Sequence, residues 1–540
     1  GNTVLIGAGG RIRGSEVYLD VAGKVVNGIE DSLGNTYRRE DGVLVDNRNV
    51  MSADPSMIAG TDQTVVKAGS VINTAQIGEA GKGATFIDTQ GTISNTAMGG
   101  NAAKIEGNTV TIDGKASVTN TGSVIEGAKG TQVTSSNGQV INESTIQSET
   151  VYKNADTGRS KLIRLISDST PQIDRVTESI RNVGKIESGN GLVYVEGDRG
   201  VVNVAANLRG AEGTYIVGNN GTIEDRAVSL RDLRNGVVET RTETREVRKP
   251  GLAGRKAGTA RTEEVQVQTR WDIVDRTDTV SGILGMGKNT VLEGKDILLA
   301  SSDLRATDDV ALNAKNHILM LSTVDTEYKH RTETHKSGRI RKKTTTENWT
   351  EDNEYANNVD ITTNGNILLN YHGVGAPADN KGIFAQGVNF NAKGQVLGLS
   401  EGDIYIQGTK DRLNSVYTSK TKKSFAGIGY KKSSDYVNTY QERYRLGQLY
   451  GDAGITYDAD GKLRVEGVDV QSSGKTFFRG KMGLEILPGT ENGYRYEEHK
   501  SSGLTASLGL SWSGLSAGVG YQKSVDRIAE TTKTIVPNKM

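Results

Sequence analysis

The chain has 540 residues, 35% of them hydrophobic and 5% aromatic, with 68 Gly against 6 Pro. Its 65 basic and 65 acidic residues cancel, which removes any bulk drive toward nucleic acid or an anionic membrane. The absence of Cys excludes a disulfide framework, a redox pair and thiolate metal ligands, and five His leave little material for a clustered-His site.

From the start the chain recurs in short apolar runs bounded by turn residues. Val4-Leu5-Ile6 opens the pattern, and Val17, Leu19 and Val21 alternate as one face of a strand would. No apolar run is long enough for a spanning helix. The chain begins on Gly1 inside this pattern and reads as a fragment of something longer. Residues 28–60 interrupt it as a lateral insertion. Between 61 and 146 the phrases G-S-V-I-N-T, G-T-I-S-N-T, A-S-V-T-N-T and G-Q-V-I-N-E place Asn73, Asn95, Asn120 and Asn142 at spacings of 22, 25 and 22, and the phrase returns at Asn182 and Asn203, 21 apart. Amides repeated in stacked turns can bond one another along the column, so these six are expected to form a structural Asn ladder.

Residues 147–181 form a second insertion. Within it, and one residue past it, 167–182 carries the marks of a short helix: Ser169 or Thr170 as N-cap, Pro171 in the first turn, and Ile173, Val176 and Ile180 on one face. Repeats then resume to residue 236. The stretch 284–321 states the repeat most clearly, with Ile297 and Ile318 21 apart in matching contexts. A period near 20 with runs too short for helices predicts an all-β chain, namely a right-handed parallel β-helix (a solenoid) with protruding β-hairpins. About 15 turns at about 4.8 Å each would make a rod near 70 Å long.

Two blocks divide the chain. Residues 1–236 are the first repeat block, with insertions near 28–60 and 147–181. Residues 237–540 are the second, with long excursions near 237–280, 322–357, 410–450 and 494–534. In the first two excursions Thr and charge alternate on both sides of a Gly turn, the pattern of an exposed hairpin. The last two carry apolar, Gly-rich segments containing Phe425, Tyr430, Leu508, Leu510, Trp512, Leu515 and Tyr521. These seven are candidate contacts to a partner or a membrane, unless their ribbon folds back over its own rod.

The runs G-K-D-I-L-L-A-S-S-D-L (294–304), T-D-D-V-A-L-N-A-K (307–315) and E-G-D-I-Y-I-Q-G-T (401–409), broken by Thr/Lys/Glu-rich hairpins, resemble the haemagglutinin repeats of filamentous haemagglutinin-like exoproteins, including the effector stalks of contact-dependent growth inhibition. The resemblance implies a secreted rod on the bacterial cell surface. It implies export through an outer-membrane two-partner secretion transporter, and action on a receptor or the outer membrane of a neighbouring cell. The expected function is a non-catalytic rod-like segment that presents or delivers a C-terminal toxin; a filamentous adhesin and a β-helical polysaccharide-degrading enzyme are the alternatives. The N-P-N-L and V-E-N-N motifs of that family are absent.

Catalysis would need convergent acids. The candidates Asp308 with Asp309 and Asp458 with Asp460 read as turn residues, and 285–290, G-M-G-K-N-T, lacks the spacing of a phosphate loop. No enzyme, no catalytic, cofactor or metal residue and no nucleic-acid partner is expected. The basic cluster Arg339, Arg341, Lys342 and Lys343 reads as a solvated hairpin tip that could touch phosphate or lipopolysaccharide, with Glu333 and Glu347 interrupting its charge.

Overall fold

The computed structural model describes residues 3–29, 36–49, 55–152, 173–247, 261–338, 341–371, 381–425, 428–511 and 514–539. All the regular structure among them is β, in two sheets of 34 and 12 strands.

The larger sheet is parallel. Short runs of Val, Ile and Leu favour strands, and each strand bonds a strand one repeat further along, so that like residues fall in register. Val71 lies beside Ile93, Ile93 beside Val118, and Val118 beside Val140. Further on, Ile297 lies beside Ile318, Ile318 beside Ile383, and Ile383 beside Ile404. All of these side chains are buried, forming a continuous apolar column. Burying such a side chain contributes about 1.5–3 kcal/mol, which lets a chain with few aromatics hold a core. In a neighbouring column Gly398 makes room for a large ring. Its register partner is Tyr457, and a Cβ at 398 would lie 2.5 Å from the Tyr457 ring.

Two long strands turn corners and pair on two sides. Met57–Asn73 bonds Ala84–Thr89 through residues 63–68 and Thr92–Thr96 through 71–73. Gly213–Arg226 bonds Leu192–Gly197 through 213–218 and Gly200–Val204 through 222–226. Between them run two parallel ladders, one through Thr109–Gly114 and Gly130–Ser135, the other through Ser117–Thr121 and Val140–Glu143. In its pairing this circuit is a closed ten-strand parallel barrel, with 24 further strands bonded outside it. That closure corrects the expected right-handed parallel β-helix, because a coil of separate short strands has no such ring. Periodicity locates runs; it does not say when two runs belong to one bent strand.

The hairpins do not protrude singly either. They join edge to edge in the 12-stranded sheet, which is antiparallel except where Leu44–Asp46 meets Thr145–Tyr152 in parallel. Its long hairpins are Val228–Val247 with Arg261–Val280, Thr323–Ser337 with Arg341–Asn357, Thr409–Phe425 with Ile428–Arg445, and Gly489–Ser511 with Gly514–Val536. A second apolar cluster of Val43, Val45, Ile146, Val204, Ala205 and Val228 packs this sheet against the first.

The expected helix over 167–182 is also corrected. Residues 167–172 lie outside the described residues, and Ile173–Asn182 is a strand antiparallel to Thr145–Tyr152. β-Branched Ile173, Val176, Thr177 and Ile180 suit a strand, and Ile180 packs on the second cluster, so tertiary pairing overrides the capping signal.

Candidate functional site

Five of the six predicted amides stand in one column. Asn73 Nδ2 donates to Asn95 Oδ1, Asn95 to Asn120, Asn120 to Asn142, and Asn142 to Asn203, each at 2.8 Å. The second amide proton goes to a backbone carbonyl: Asn73 to Lys104 O and Asn142 to Asn207 O, both at 3.0 Å. Both donors of each buried amide are thereby satisfied. Asn182 is not in the column; it belongs to the lateral sheet, and its Nδ2 donates to Gly99 O at 2.7 Å.

Sequence reasoning missed both ends. Asn27 begins the column, donating to Asn73 at 2.8 Å, and Asp225 ends it, accepting from Asn203 at 2.7 Å. The signals were present: V-V-N at 25–27 repeats the phrase, and G-T-I-E-D at 221–225 puts Asp where the others have Asn. Asp225 is buried, and burial pushes its carboxyl up to about 6 against the opposing hydrogen bonds of Ser302 and Asn203. Its next register partner is Leu299, so the column turns apolar there. This column is structural.

Of the predicted contact residues, Leu508 and Leu510 lie opposite Ala517 and Leu515 in the last hairpin, and Tyr521 lies opposite Leu504. Tyr521 and Leu504 are both exposed. Tyr430 is half-buried, and Phe425 ends its strand opposite Ile428. Trp512 lies outside the described residues, as does Arg339. The structure does not gather the candidate acids into an acid pair facing a cleft: Asp309 Oδ1 accepts from the Asn366 backbone N–H at 2.7 Å, and Asp458 pairs with Arg479.

One face of the lateral sheet concentrates the functional groups, and register fixes the layers, since directly opposed residues share a face. In the first layer Arg331, Trp349 and Tyr417 face one another across three strands. The Arg331 guanidinium sits 4.0 Å over the Trp349 ring, and the Trp349 and Tyr417 rings lie 5.3 Å apart. In the next layer Glu333 opposes Glu347. Tyr417 donates its hydroxyl to Glu347 Oε1 at 3.0 Å, and burial first, then this bond, holds the phenol above its ordinary value. His335 and Thr345 follow.

Near the hairpin ends three ammonium groups fall in one row: Lys343 opposes Lys423, which opposes Lys431. Lys422 opposes Lys432 one residue along, on the opposite face of the sheet. Lys343, Lys431 and Lys432 are exposed. Like charges directly opposite each other across strands are destabilising, so this row is held against its own repulsion and is suited to an anion. The sequence showed only the part on one hairpin; the rest comes from strands about 80 residues further along.

The hemagglutinin repeat family matches residues 266–409. No curated protein and no solved structure matches the chain. The matched stretch runs from the returning strand of one lateral hairpin, through the parallel strands of 283–321, to the start of the hairpin that carries Lys423. The expectation of a rod-like segment presenting or delivering a toxin is corrected by these findings. The parallel strands close into a ring, a broad second sheet lies along them, and the family match covers this part of the chain alone.

Proposed function

We propose that this chain is a non-catalytic binding segment of a secreted haemagglutinin-repeat exoprotein of the filamentous haemagglutinin-like kind. On this reading it is exported through an outer-membrane two-partner secretion transporter and exposed at the bacterial surface. Its lateral sheet engages anionic groups on the outer membrane of a neighbouring cell, such as the phosphates of lipopolysaccharide. The family match over 266–409 supports the first part. The carrying observation for the second is the row Lys343–Lys423–Lys431 on one face, a concentration of like charge in a chain that is neutral overall.

Each Lys near an anionic surface contributes about 1 kcal/mol, falling off within a Debye length. Changing Lys343, Lys423 and Lys431 together to Gln should therefore weaken binding to lipopolysaccharide vesicles by about a hundredfold, and raised salt should do the same to the unchanged protein. Vesicle co-sedimentation measures both. Binding that survives the triple substitution, or is indifferent to salt, overturns the proposal.

A further inference from the structure

We infer that Glu333, His335 and Glu347 form a binding site for one borderline divalent cation of the Zn2+ type. Among the described residues these three offer ligand atoms that all lie within 4.8 Å of one another. His335 Nε2 is 3.2 Å from Glu333 Oε2 and 3.9 Å from Glu347 Oε2. Ligand atoms around a tetrahedral Zn2+, at about 2.0–2.2 Å from the metal, are about 3.4 Å apart, so a small rotation of the exposed His335 ring toward the two half-buried carboxylates closes the set.

The orientation of each carboxylate supports this assignment. Both present Oε2 to the same imidazole nitrogen while Oε1 faces a group outside the set. Glu347 Oε1 accepts from the Tyr417 hydroxyl at 3.0 Å, and Glu333 Oε1 lies 3.2 Å from Arg331 Nε. The Tyr417 bond fixes its ligand's orientation as outer groups regularly do in metal sites, whereas the Arg331 contact is an ion pair without hydrogen-bond geometry. The two glutamates also oppose each other directly across the strands, a repulsion that a cation between them would remove.

His499 shows what the alternative looks like. It too has two carboxylate neighbours, but Asp435 meets its Nδ1 at 3.0 Å and Glu497 its Nε2 at 3.7 Å. Two nitrogens facing opposite ways cannot share one metal, and the hydrogen bond to Asp435 instead favours the imidazolium. At His335 a single nitrogen meets both acids.

One imidazole and two carboxylates suit Zn2+, Co2+ or Ni2+, whereas Mg2+ prefers all-oxygen octahedral sites. Three protein ligands leave the fourth position to water. A bound cation would neutralise the two acids beside the Lys343 row, but the site does not depend on that row.

The test is calorimetric titration of the full chain with ZnCl2, with MgCl2 as control, and the visible spectrum of the Co2+ form. One equivalent of Zn2+ should bind and Mg2+ should not. His335→Gln should abolish binding, and Tyr417→Phe should weaken it about tenfold. The double variant Glu333→Gln, Glu347→Gln removes a repulsion, so it should stay folded by circular dichroism and yet lose the tetrahedral Co2+ bands. No Zn2+ uptake by the unchanged chain overturns the inference. Uptake that persists in His335→Gln, or in the folded double variant, overturns it equally.

Discussion

Replacing Asp225 by Asn should change how stability depends on pH more than it changes stability itself. Asp225 is 3% exposed, between Asn203, which donates to its carboxyl at 2.7 Å, and Leu299. Its folded pKa is raised from 3.8 to about 6, chiefly by burial. An acid whose pKa is higher folded than unfolded binds more protons in the folded state between those two values. Stability must therefore fall as pH rises from about 4 to about 6, and stay lower above. At about 1.36 kcal/mol per pH unit the loss is about 3 kcal/mol. Asn stays neutral and keeps an acceptor for Asn203, so Asp225→Asn should lack this slope. Relative to the unchanged protein it should gain about 2.5 kcal/mol on going from pH 4 to pH 8, the rest of the loss having occurred below pH 4. Urea unfolding followed by circular dichroism at the two pH values measures the difference, and any constant effect of the substitution cancels. Parallel pH profiles for the two proteins would refute the argument. A profile of opposite sign would mean that the hydrogen bonds outweigh burial and the carboxylate is the favoured form.

Tyr457 is wholly buried and its hydroxyl has no partner, so Tyr457→Phe should stabilise the chain by about 1–2 kcal/mol. Gly398→Ala should destabilise it by about 1–3 kcal/mol, because the new Cβ meets the same ring; thermal unfolding of both separates the two signs. Asn120→Ala removes an acceptor from Asn95 and a donor from Asn142 in the buried column and should cost about 3 kcal/mol. Asn182→Ala, outside the column, should cost about 1 kcal/mol. Equal losses in urea would show that Asn120 has no special place.

Much of the parallel sheet was legible because its period is written in residues whose burial leaves little choice. Ile297 and Ile318, matched by context, are register partners, and the V-I-N phrases mark turns of one amide column. Phrase matching failed where a local sequence does not decide which sheet its strand joins. S-I-R-N at 179–182 repeats the motif, yet its strand pairs with Thr145–Tyr152, where Ile146 and Val45 supply an apolar surface. The corner strands were not legible either, since whether a Gly or a polar pair ends a strand or merely bends it depends on the neighbour it bonds. Nor could the sequence reveal the Lys343–Lys423–Lys431 row or the Glu333–His335–Glu347 group. Both rest on cross-strand register, which shifts with every residue of loop length and, for the lysines, joins separate hairpins.

Because every amide in the column donates in the same direction, from Asn27 toward Asp225, their dipoles add instead of cancelling. The column behaves like a short helix laid across the strands, with a carbonyl oxygen at the Asn27 end and N–H groups aimed at the Asp225 end. Chains of hydrogen bonds polarise one another, so the Asn203 proton that meets Asp225 carries the influence of amides several repeats away. A carboxylate at the donor terminus is the electrostatic complement of that field. The same group at the opposite end, beside the Asn27 oxygen, would face a field of the wrong sign.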